Sequence, residues 1–290
     1  MNKIDFILLF DAADANPNGD PDAGNLPRID PETCHGLVTD VCLKRKIRNY
    51  VQLTKAGASG YDIYVKEKAV LNQLHEQACN ATEQKKSTTG QKKSTTENPK
   101  AKAWMCEHFY DVRTFGAVMT TGEKEEKFNC GQVRGPVQIS FSRSINEITQ
   151  LEHTVTRCAV TNQKHIDKER TMGRKYTIPY GLYMAKGVVN PYLADQTGFG
   201  EEDLKLLIEA LTHMFDFDAS AARPAGSMTV RKLILFKHDS KLGNAPAHKL
   251  YDSVKVTKKP GIEFPRSIED YDIVIPGSDE ILGVKVEVLE

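Results

Sequence analysis

Apolar residues recur along the chain in patterns that predict its main strands and helices. Residues 4–10 are apolar except for Asp5 and have the length of a buried strand. Residues 39–53 carry apolar side chains at helical spacing and predict a helix that packs on a sheet, capped by Thr39 or Asp40. Residues 201–217 predict the clearest helix, because acidic residues occupy its first turn and large apolar residues recur every three or four positions.

The same patterns predict the remaining elements and their order. Further strands are predicted at residues 61–65, 113–119, 135–142, 176–189, 229–238 and 281–289, and further helices at residues 68–81 and 104–110. This order, with its large insertions, predicts a split β-α-β core. A near repeat within residues 84–96 is polar and cationic, so it cannot offset its ordering entropy by burial and is predicted to be a mobile loop. Residues 123–127 are also predicted to be a loop.

Composition indicates a soluble protein with a packed core. The chain has 290 residues, of which 40% are hydrophobic and 27% charged. No apolar run approaches the roughly 20 residues that a membrane helix needs, and residues 4–10 do not fit a signal sequence. We therefore expect a cytoplasmic protein with no membrane partner. The six cysteines are widely spaced without a C-x-x-C pair, which favours reduced thiols over a metal site or disulfides.

The charge of the chain is balanced overall but segregated along the sequence. The formal net charge is zero, yet residues 44–55 are basic and residues 263–290 are mainly acidic. Such segregation suits local binding of a polyanion together with head-to-tail contact between copies of the chain. An accidental distribution of charge is the open alternative.

The loop after the first strand, residues 11–28, consists mainly of Asp, Asn, Pro and Gly and leads into the basic helix. Free backbone N–H groups and nearby cations at such a place can hold a phosphate chain. The segment that begins at Asp14 also fits the first half of a calcium loop. Asn25 stands where a bidentate Glu is needed, and a strand precedes the loop. A turn-rich loop whose side chains bond their own backbone is the simpler alternative.

Cations of the first helix and of later segments are the candidate contacts to a polyanion. Lys44, Arg45, Lys46 and Arg48 lack the compensating glutamates of a solvated helix face. The arginines at positions 28, 113 and 134 fall at predicted strand ends or loops and could extend the set of cations that contact a polyanion. In residues 157–175, Met172 is placed to wedge between bases while Arg174 and Lys175 neutralise phosphates. A solvated helix face and an ordinary surface hairpin are the alternatives.

Catalytic chemistry has little support in the sequence. Aspartates of the loop after the first strand could hold Mg²⁺ for phosphodiester cleavage, so a metal-dependent nuclease is one alternative. These aspartates are Asp11, Asp14, Asp20 and Asp22. The chain has no G-x-S-x-G, Walker, H-E-x-x-H or dinucleotide-binding motif.

Several motifs in sequence order resemble one known family. They are Phe10-Asp11, residues 16–22 (NPNGDPD), residues 25–28 (NLPR), residues 38–41 (VTDV), residues 43–48 (LKRKIR), residues 113–116 (RTFG), residues 131–138 (GQVRGPVQ) and residues 171–183 (TMGRKYTIPYGLY). The chain is similar to the guide-RNA (crRNA)-binding backbone subunit of the type I-C CRISPR surveillance complex (Cascade), within the RAMP superfamily. The resemblance runs from Ile4 to about Lys237 and is weaker over residues 60–103.

The resemblance implies an α+β fold with an RRM/ferredoxin-like palm, a helical fingers insertion and a β-hairpin thumb. The implied division has palm segments at residues 1–54, 113–156 and 179–290, fingers at residues 55–112 with a mobile loop at about 83–100, and a thumb hairpin at residues 157–178. It also implies a non-catalytic protein of antiviral defence, without metal or cofactor, whose copies form a helical filament on the guide RNA. The implied partners are the guide RNA, target DNA through the guide, further copies of the chain and other Cascade subunits.

Matched by position, the resemblance assigns RNA contacts to particular residues. Lys44 and Arg48 correspond to phosphate contacts, and Met172 falls where the thumb wedges the strand. The full set of expected RNA-binding residues is Asn16, Asn18, Arg28, Lys44, Arg45, Arg48, Arg113, Arg134, Met172, Arg174 and Lys175. A metal-dependent RAMP ribonuclease and a calcium-binding module are the alternative functions.

Overall fold

The computed structural model of the chain describes residues 1–82, 98–120, 129–166 and 172–290. The predicted loops at residues 84–96 and 123–127 lie outside these ranges. The described helices are α1 (Asp40–Thr54), α2 (Leu71–Ala81), α3 (Pro99–His108), α4 (Tyr110–Phe115), α5 (Pro191–Thr197), α6 (Glu201–His213) and α7 (Ala247–Ser253). The described strands are β1 (Ile4–Ala15), β2 (Gly19–Asp20), β3 (Leu26–Pro27), β4 (His35–Val38), β5 (Gly116–Val118), β6 (Gln132–Arg134), β7 (Val137–Ile139), β8 (Ser142–Glu147), β9 (Leu151–Thr156), β10 (Met172–Val189), β11 (Met228–His238), β12 (Lys255–Lys258), β13 (Tyr271–Val274) and β14 (Val284–Leu289).

The fold is a mixed α/β architecture built on one large antiparallel sheet. Its main strand order is β14-β11-β1-β10-β8-β4, and β7 and β9 also pair with β10. β1 lies near the centre, between β10 and β11, and is antiparallel to both. Strand β10 is longer than its neighbours, so its second half belongs to the sheet while its first half forms a hairpin with β9.

Both faces of β1 are buried, which explains the apolar run at the start of the chain. Phe6, Leu8 and Phe10 belong to a core that also contains side chains of α1 and α6. Ile7 and Leu9 point to the opposite face, where α7 and the β12–β13 hairpin cover them. Helices on one face and a smaller α/β unit on the other therefore bury residues 4–12 of the central strand.

A second apolar core lies in the insertion between α1 and β5. It is formed by side chains of α2 and α3 together with the chain around Cys130 and Val133. The six cysteines of the chain are free. Within the described part of the chain, none of the helices combines the length and the apolarity that crossing a membrane requires.

The strand predicted at residues 61–65 is wrong: the segment makes only an isolated bridge, between Asp62 and Phe109. The backbone N–H groups of Tyr64 and Val65 donate instead to the buried carboxylate of Asp111, at 2.7 and 3.1 Å. Because a side chain satisfies these donors, the segment does not need a strand partner. The local apolar alternation could not reveal a partner that lies 46 residues away.

The strand predicted at residues 113–119 is also wrong over its first half, which forms the end of α4. Helix α4 ends at Phe115 and is followed by Gly116, whose φ of 84° lies in the left-handed region that favours glycine. Only then does the chain become extended, as β5, and pair with β6. The predicted strand at residues 135–142 is divided between β7 and the first residue of β8, and the predicted helix 201–217 ends four residues early, at His213.

Two glycines allow the backbones of these segments to cross at very short range. A Cβ atom on Gly135 would lie 2.2 Å from the carbonyl carbon of Phe115 and 2.4 Å from the backbone nitrogen of Gly116. A Cβ atom on Gly116 would lie 2.4 Å from the carbonyl oxygen of Val133. Rigid backbone atoms cannot yield as a flexible side chain does, so the crossing requires glycine on both sides.

We expect Gly135→Ala to lower the free energy of unfolding by about 1–3 kcal/mol or more, because the added methyl group overlaps backbone. Gly277→Ala is the matched control, since Gly277 has an ordinary φ of −70° and its Cβ would meet only the end of Glu280 at 3.4 Å. Denaturant unfolding of both variants measures the difference. Equal stability of the two variants would contradict this account of the crossing.

Candidate nucleic-acid interface

The end of β1 and the start of the β9–β10 hairpin meet at one end of the sheet. In the antiparallel register, Ala15 pairs with Ile178. The loop that leaves β1 at Asn16 therefore lies beside the residues of β10 that precede Ile178. Those residues, Met172 to Thr177, pair with β9 and form the base and arm of the hairpin.

A cleft of about 700 Å³ lies at this meeting point. Four segments line it: the loop after β1, the first turn of α1, the base of the hairpin, and the loop between α6 and β11. The lining residues are Asn16, Pro17, Asn18, Gly19, Gly24, Asn25, Cys42, Val155, Arg174, Lys175, Tyr176, Ala221, Ala222 and Arg223. The cleft thus brings together four of the sequence-predicted RNA-binding residues from separate parts of the chain: Asn16, Asn18, Arg174 and Lys175.

Hydrogen bonds hold the loop after β1 against the first turn of α1. Asn18 Oδ1 accepts from the backbone N–H and the hydroxyl of Thr39, at 3.0 and 3.1 Å. Thr39 Oγ1 in turn accepts from the backbone N–H of Cys42 at 3.2 Å and caps α1. Asn16 Nδ2 donates to the carbonyl oxygen of Asn25 at 2.7 Å. Asn16 and Asn18 therefore line the cleft and also hold its wall in place through these hydrogen bonds.

Hydrogen bonds and ion pairs also occupy several oxygens of this loop that were considered as ligands for Ca²⁺ or Mg²⁺. The oxygen of Asn18 is already occupied by two donors, and Asp20 forms an ion pair with Arg28 at 3.1 Å and accepts from the backbone N–H of Asp22. The loop is folded into a small β2–β3 ladder rather than wrapped around a central point. Among the residues that the structure describes, no group of three or more His, Cys, Asp or Glu side chains is placed to hold a metal ion.

The arginines at the cleft each have a carboxylate partner. Arg174 Nε lies 3.1 Å from Glu152 Oε1 across the hairpin, and its side chain is 68% exposed. Hydrogen bonding to Tyr176 and the charge of Glu152 raise the pKa of Arg174 further above its usual value, so it stays charged. Arg223 Nε lies 2.8 Å from Asp218 Oδ2. A phosphate that binds here must therefore share these arginines with their carboxylate partners or displace the carboxylates.

Lys44 and Arg48 do not face solvent as the helical pattern predicted. Their side chains are only 14% and 12% exposed and lie over the ring of Phe115, at 5.7 and 5.3 Å. Lys44 pairs with Asp40 at 2.9 Å, and Arg48 Nε pairs with the buried Asp111 at 2.7 Å. Tertiary contacts with α4 thus use the face of α1 that the sequence analysis assigned to RNA, and Arg48 has a structural role.

Arg113 is also buried. Its guanidinium donates to both carboxylate oxygens of Asp203, through Nε at 3.0 Å and Nη2 at 2.7 Å. It also stacks between the rings of Tyr61 and Tyr110, at 5.1 and 5.4 Å. Arg113 therefore joins the insertion to α6, and its charge is already paired with the carboxylate of Asp203.

The remaining predicted residues are accessible. Arg45 is exposed on α1, one turn after Cys42 of the cleft wall. Met172 is 70% exposed at the start of β10. Arg134 is exposed on β6 but lines a different cleft, of about 650 Å³, beside α3 and α5. Arg28 lies next to the loop through its ion pair with Asp20.

The loop between α6 and β11 also belongs to the cleft, although its sequence did not predict this. This loop contributes Ala221, Ala222 and Arg223 to the cleft, and the carbonyl oxygen of Ala222 accepts from the backbone N–H of Asn16 at 2.9 Å. Asp218, in the same loop, also pairs with the buried Lys46 of α1. The local sequence offers one cation, Arg223, among small residues. An ordinary solvated turn has the same composition, so the sequence did not indicate a binding site. Cys42 was also missed as a lining residue; burial raises the pKa of its thiol.

Comparison with known proteins identifies the family of this chain. Residues 2–276 match the family described as CRISPR-associated protein Cas7. The chain is 28% identical over 220 residues to a CRISPR-associated protein Cas7 of Haloferax volcanii. That alignment covers 71% of this chain and 62% of the relative, so the chain spans less than two thirds of the relative's length. Because the family match covers most of the sequence, the chain belongs to the Cas7 family of CRISPR-associated proteins.

Solved structures with a similar fold were also found. One chain from a structure described as a CRISPR RNA-guided surveillance complex, pre-nicking, has a TM-score of 0.48 and 15% identity, over 81% of this chain and 78% of that one. One from a Type III-B Cmr-beta complex bound to cognate target RNA has a TM-score of 0.42 and 10% identity, over 81% of this chain and 61% of that one. At such low TM-scores these similarities carry no argument about function.

We expect Arg113→Met to lower the free energy of unfolding by about 3–5 kcal/mol, because it leaves the buried carboxylate of Asp203 without its partner. Arg45→Met, at an exposed position, is the control and should change stability by no more than about 0.5 kcal/mol. Denaturant unfolding measures both. A stable Arg113→Met protein with weakened RNA binding would instead make Arg113 an RNA contact.

Proposed function

We propose that this chain is the non-catalytic, guide-RNA-binding backbone subunit of a type I-C CRISPR surveillance complex. Membership of the Cas7 family and the type I-C-like motifs support this proposal. The observation that carries it is the cleft at the end of β1. There the Asn/Gly loop, the hairpin base and the α6–β11 loop bring Arg174, Lys175 and Arg223 around one groove.

The chemistry of the cleft suits the backbone of a nucleic acid better than its bases. Its charged groups are cations, its polar groups are asparagine amides and main chain, and Tyr176 is the only aromatic residue among its lining residues. Cations and amides bind phosphate and sugar without reading sequence. A subunit that must hold any guide needs this property, since specificity then comes from base pairing with the target.

We further propose that the sheet with its α1 and α6 face is an RRM-like palm, that the insertion with α2 and α3 forms fingers, and that the β9–β10 hairpin is the thumb. The paired part of that hairpin, residues 151–156 and 172–177, begins earlier than the 157–178 expected from the sequence. The exposed Met172 then lies on the arm that would press on the RNA. Copies of the chain would follow one another along the guide and leave its bases free to pair with target DNA.

The proposed RNA contacts are revised by the positions of the side chains. Arg48 and Arg113 are left out because buried carboxylates hold them, and Lys44 because it packs over Phe115. Arg223 is added. The proposed set is Asn16, Asn18, Arg28, Arg45, Met172, Arg174, Lys175 and Arg223, with Arg134 as a contact outside the cleft.

We expect Lys175→Ala combined with Arg223→Ala to weaken binding of unrelated single-stranded RNAs by a similar factor. The slope of log K against log salt should fall by on the order of 1–1.5, since each lost phosphate contact removes about 0.7. Fluorescence anisotropy with labelled oligouridine and oligocytidine between low and moderate salt measures this. Lys285→Ala on the distant edge strand β14 is the control. Wild-type protein that fails to bind RNA, or a loss confined to one sequence, would contradict the proposal.

We expect Glu152→Gln to strengthen RNA binding by about two- to fivefold at low salt. Glu152 competes with phosphate for Arg174, and an exposed pair of this kind is worth only about 0.2–1 kcal/mol. Glu263→Gln removes the same charge from the segment between β12 and β13, which does not line the cleft, and should leave the affinity unchanged. Equal effects of the two substitutions would show that only net charge matters.

A further inference from the structure

Two cysteines meet inside the core of the insertion, and neither belongs to the proposed RNA contacts. Cys79 lies in the last turn of α2, and Cys130 lies shortly before β6. Both belong to the second apolar core, where Cys79 is 6% exposed and Cys130 is fully buried. Their thiols form a hydrogen bond with each other. The pair therefore joins two segments that are distant in sequence.

The position of Cys130 against α2 brings the two sulfur atoms together. Cys130 Sγ donates to the carbonyl oxygen of His75 at 3.8 Å. In an α-helix the same carbonyl accepts the backbone N–H four residues later, which here is that of Cys79. Helical side chains lean back over the preceding turn, so the side chain of Cys79 leans towards Cys130. A disulfide requires two cysteines whose side chains point at each other, and this pair meets that requirement while reduced.

The surroundings of the two thiols are not equivalent. Burial raises the pKa of Cys79, but hydrogen bonds to its sulfur from Cys130 and from the side chain of Asn98 offset part of this rise. Asn98 Oδ1 caps α3 by accepting from two backbone N–H groups, so its Nδ2, which has no other partner among the described residues, is the donor to Cys79. Burial raises the pKa of Cys130 to about 12, and its neighbour Cys79 contributes to the rise. Cys79 is thus the thiol that loses its proton more readily, and only a thiolate attacks an oxidant.

We propose that Cys79 and Cys130 are a redox-sensitive pair, which hydrogen peroxide converts into a disulfide that joins α2 to the segment before β6. The Cys79 thiolate attacks one oxygen of the peroxide and breaks the O–O bond, which gives a sulfenic acid on Cys79 and one molecule of water. The thiol of Cys130 then attacks Cys79 Sγ, and its proton leaves with the hydroxyl group of the sulfenic acid as a second molecule of water. Two thiols are oxidised and one peroxide is reduced to water.

The disulfide controls the rigidity of the insertion. In the reduced protein, α2 is held to this core by apolar packing and hydrogen bonds, which open and close locally. A covalent link between segments distant in sequence prevents α2 from separating, and reduction restores the opening. Because both thiols are buried and their pKa values are raised, the pair reacts more slowly than the exposed Cys34 and Cys158. This proposal does not depend on RNA binding.

Oxidation of a protein that carries Cys34→Ser and Cys158→Ser tests the proposal, because this background removes the exposed thiols that join separate molecules. After treatment with hydrogen peroxide, the intact mass should fall by that of two hydrogen atoms, and peptide mapping should link Cys79 to Cys130. Hydrogen exchange of the α2 amides should slow by about tenfold or more, and dithiothreitol should reverse both changes. A protein that keeps its thiols, or that links another pair, overturns the proposal. A linked protein whose α2 exchanges as fast as before overturns the control of rigidity.

Single substitutions in the same background test the order of the two steps. Cys130→Ser should accumulate a sulfenic acid on Cys79 that dimedone labels, because the second thiol is gone, whereas Cys79→Ser should leave Cys130 unlabelled. Cys106→Ser is the matched control, since Cys106 is buried in the same core with its pKa raised to about 11 by burial, and this variant should still form the link. Equal labelling of the Cys130→Ser and Cys79→Ser proteins contradicts the assigned order. Circular dichroism checks that each variant is folded, and the linkage in the parent protein stands without them.

Discussion

Antiparallel pairing between β1 and β10 fixes the position of the cleft relative to the core of the protein. It aligns Ala15 with Ile178, so the Asn/Gly loop and the hairpin arm leave the sheet at the same end. Because β1 is buried on both faces, a register shift of one residue would exchange the side chains of Phe6 and Ile7 between two different cores. The position of the cleft therefore depends on the packing of the core, because the buried strand β1 positions the Asn/Gly loop that follows it.

The cations of this protein fall into two groups that differ in burial. Arg48 and Arg113 pair with buried carboxylates and connect α1, the insertion and α6, and breaking such pairs is costly. Arg174 and Arg28 pair with partly exposed carboxylates, where a pair contributes little to stability and a phosphate can compete. A chain with zero net charge can thus present a groove for a polyanion without being basic overall.

Several elements could be predicted from the sequence because their signals are local. The apolar run of β1, the capped and amphipathic α1 and the strongly periodic α6 all occur close to their predicted positions. The errors at residues 61–65 and 113–119 have one physical cause: the carboxylate of Asp111 and the glycine crossing at Gly116 act between segments distant in sequence. Helical periodicity could place Lys44 and Arg48 on one face of α1 but could not show that Phe115 covers that face.

Motifs in a specific order along the chain were enough to indicate the family, and they marked the loop and hairpin segments that supply asparagines and cations. Which of these side chains share a cleft depends on contacts between segments that are distant along the chain. In the folded protein Arg113 is buried in an ion pair with Asp203, whereas Arg223, from a loop distant in sequence, lines the cleft. The physical reason is that charge type is a property of each residue, whereas burial and pairing depend on neighbours that the fold brings together.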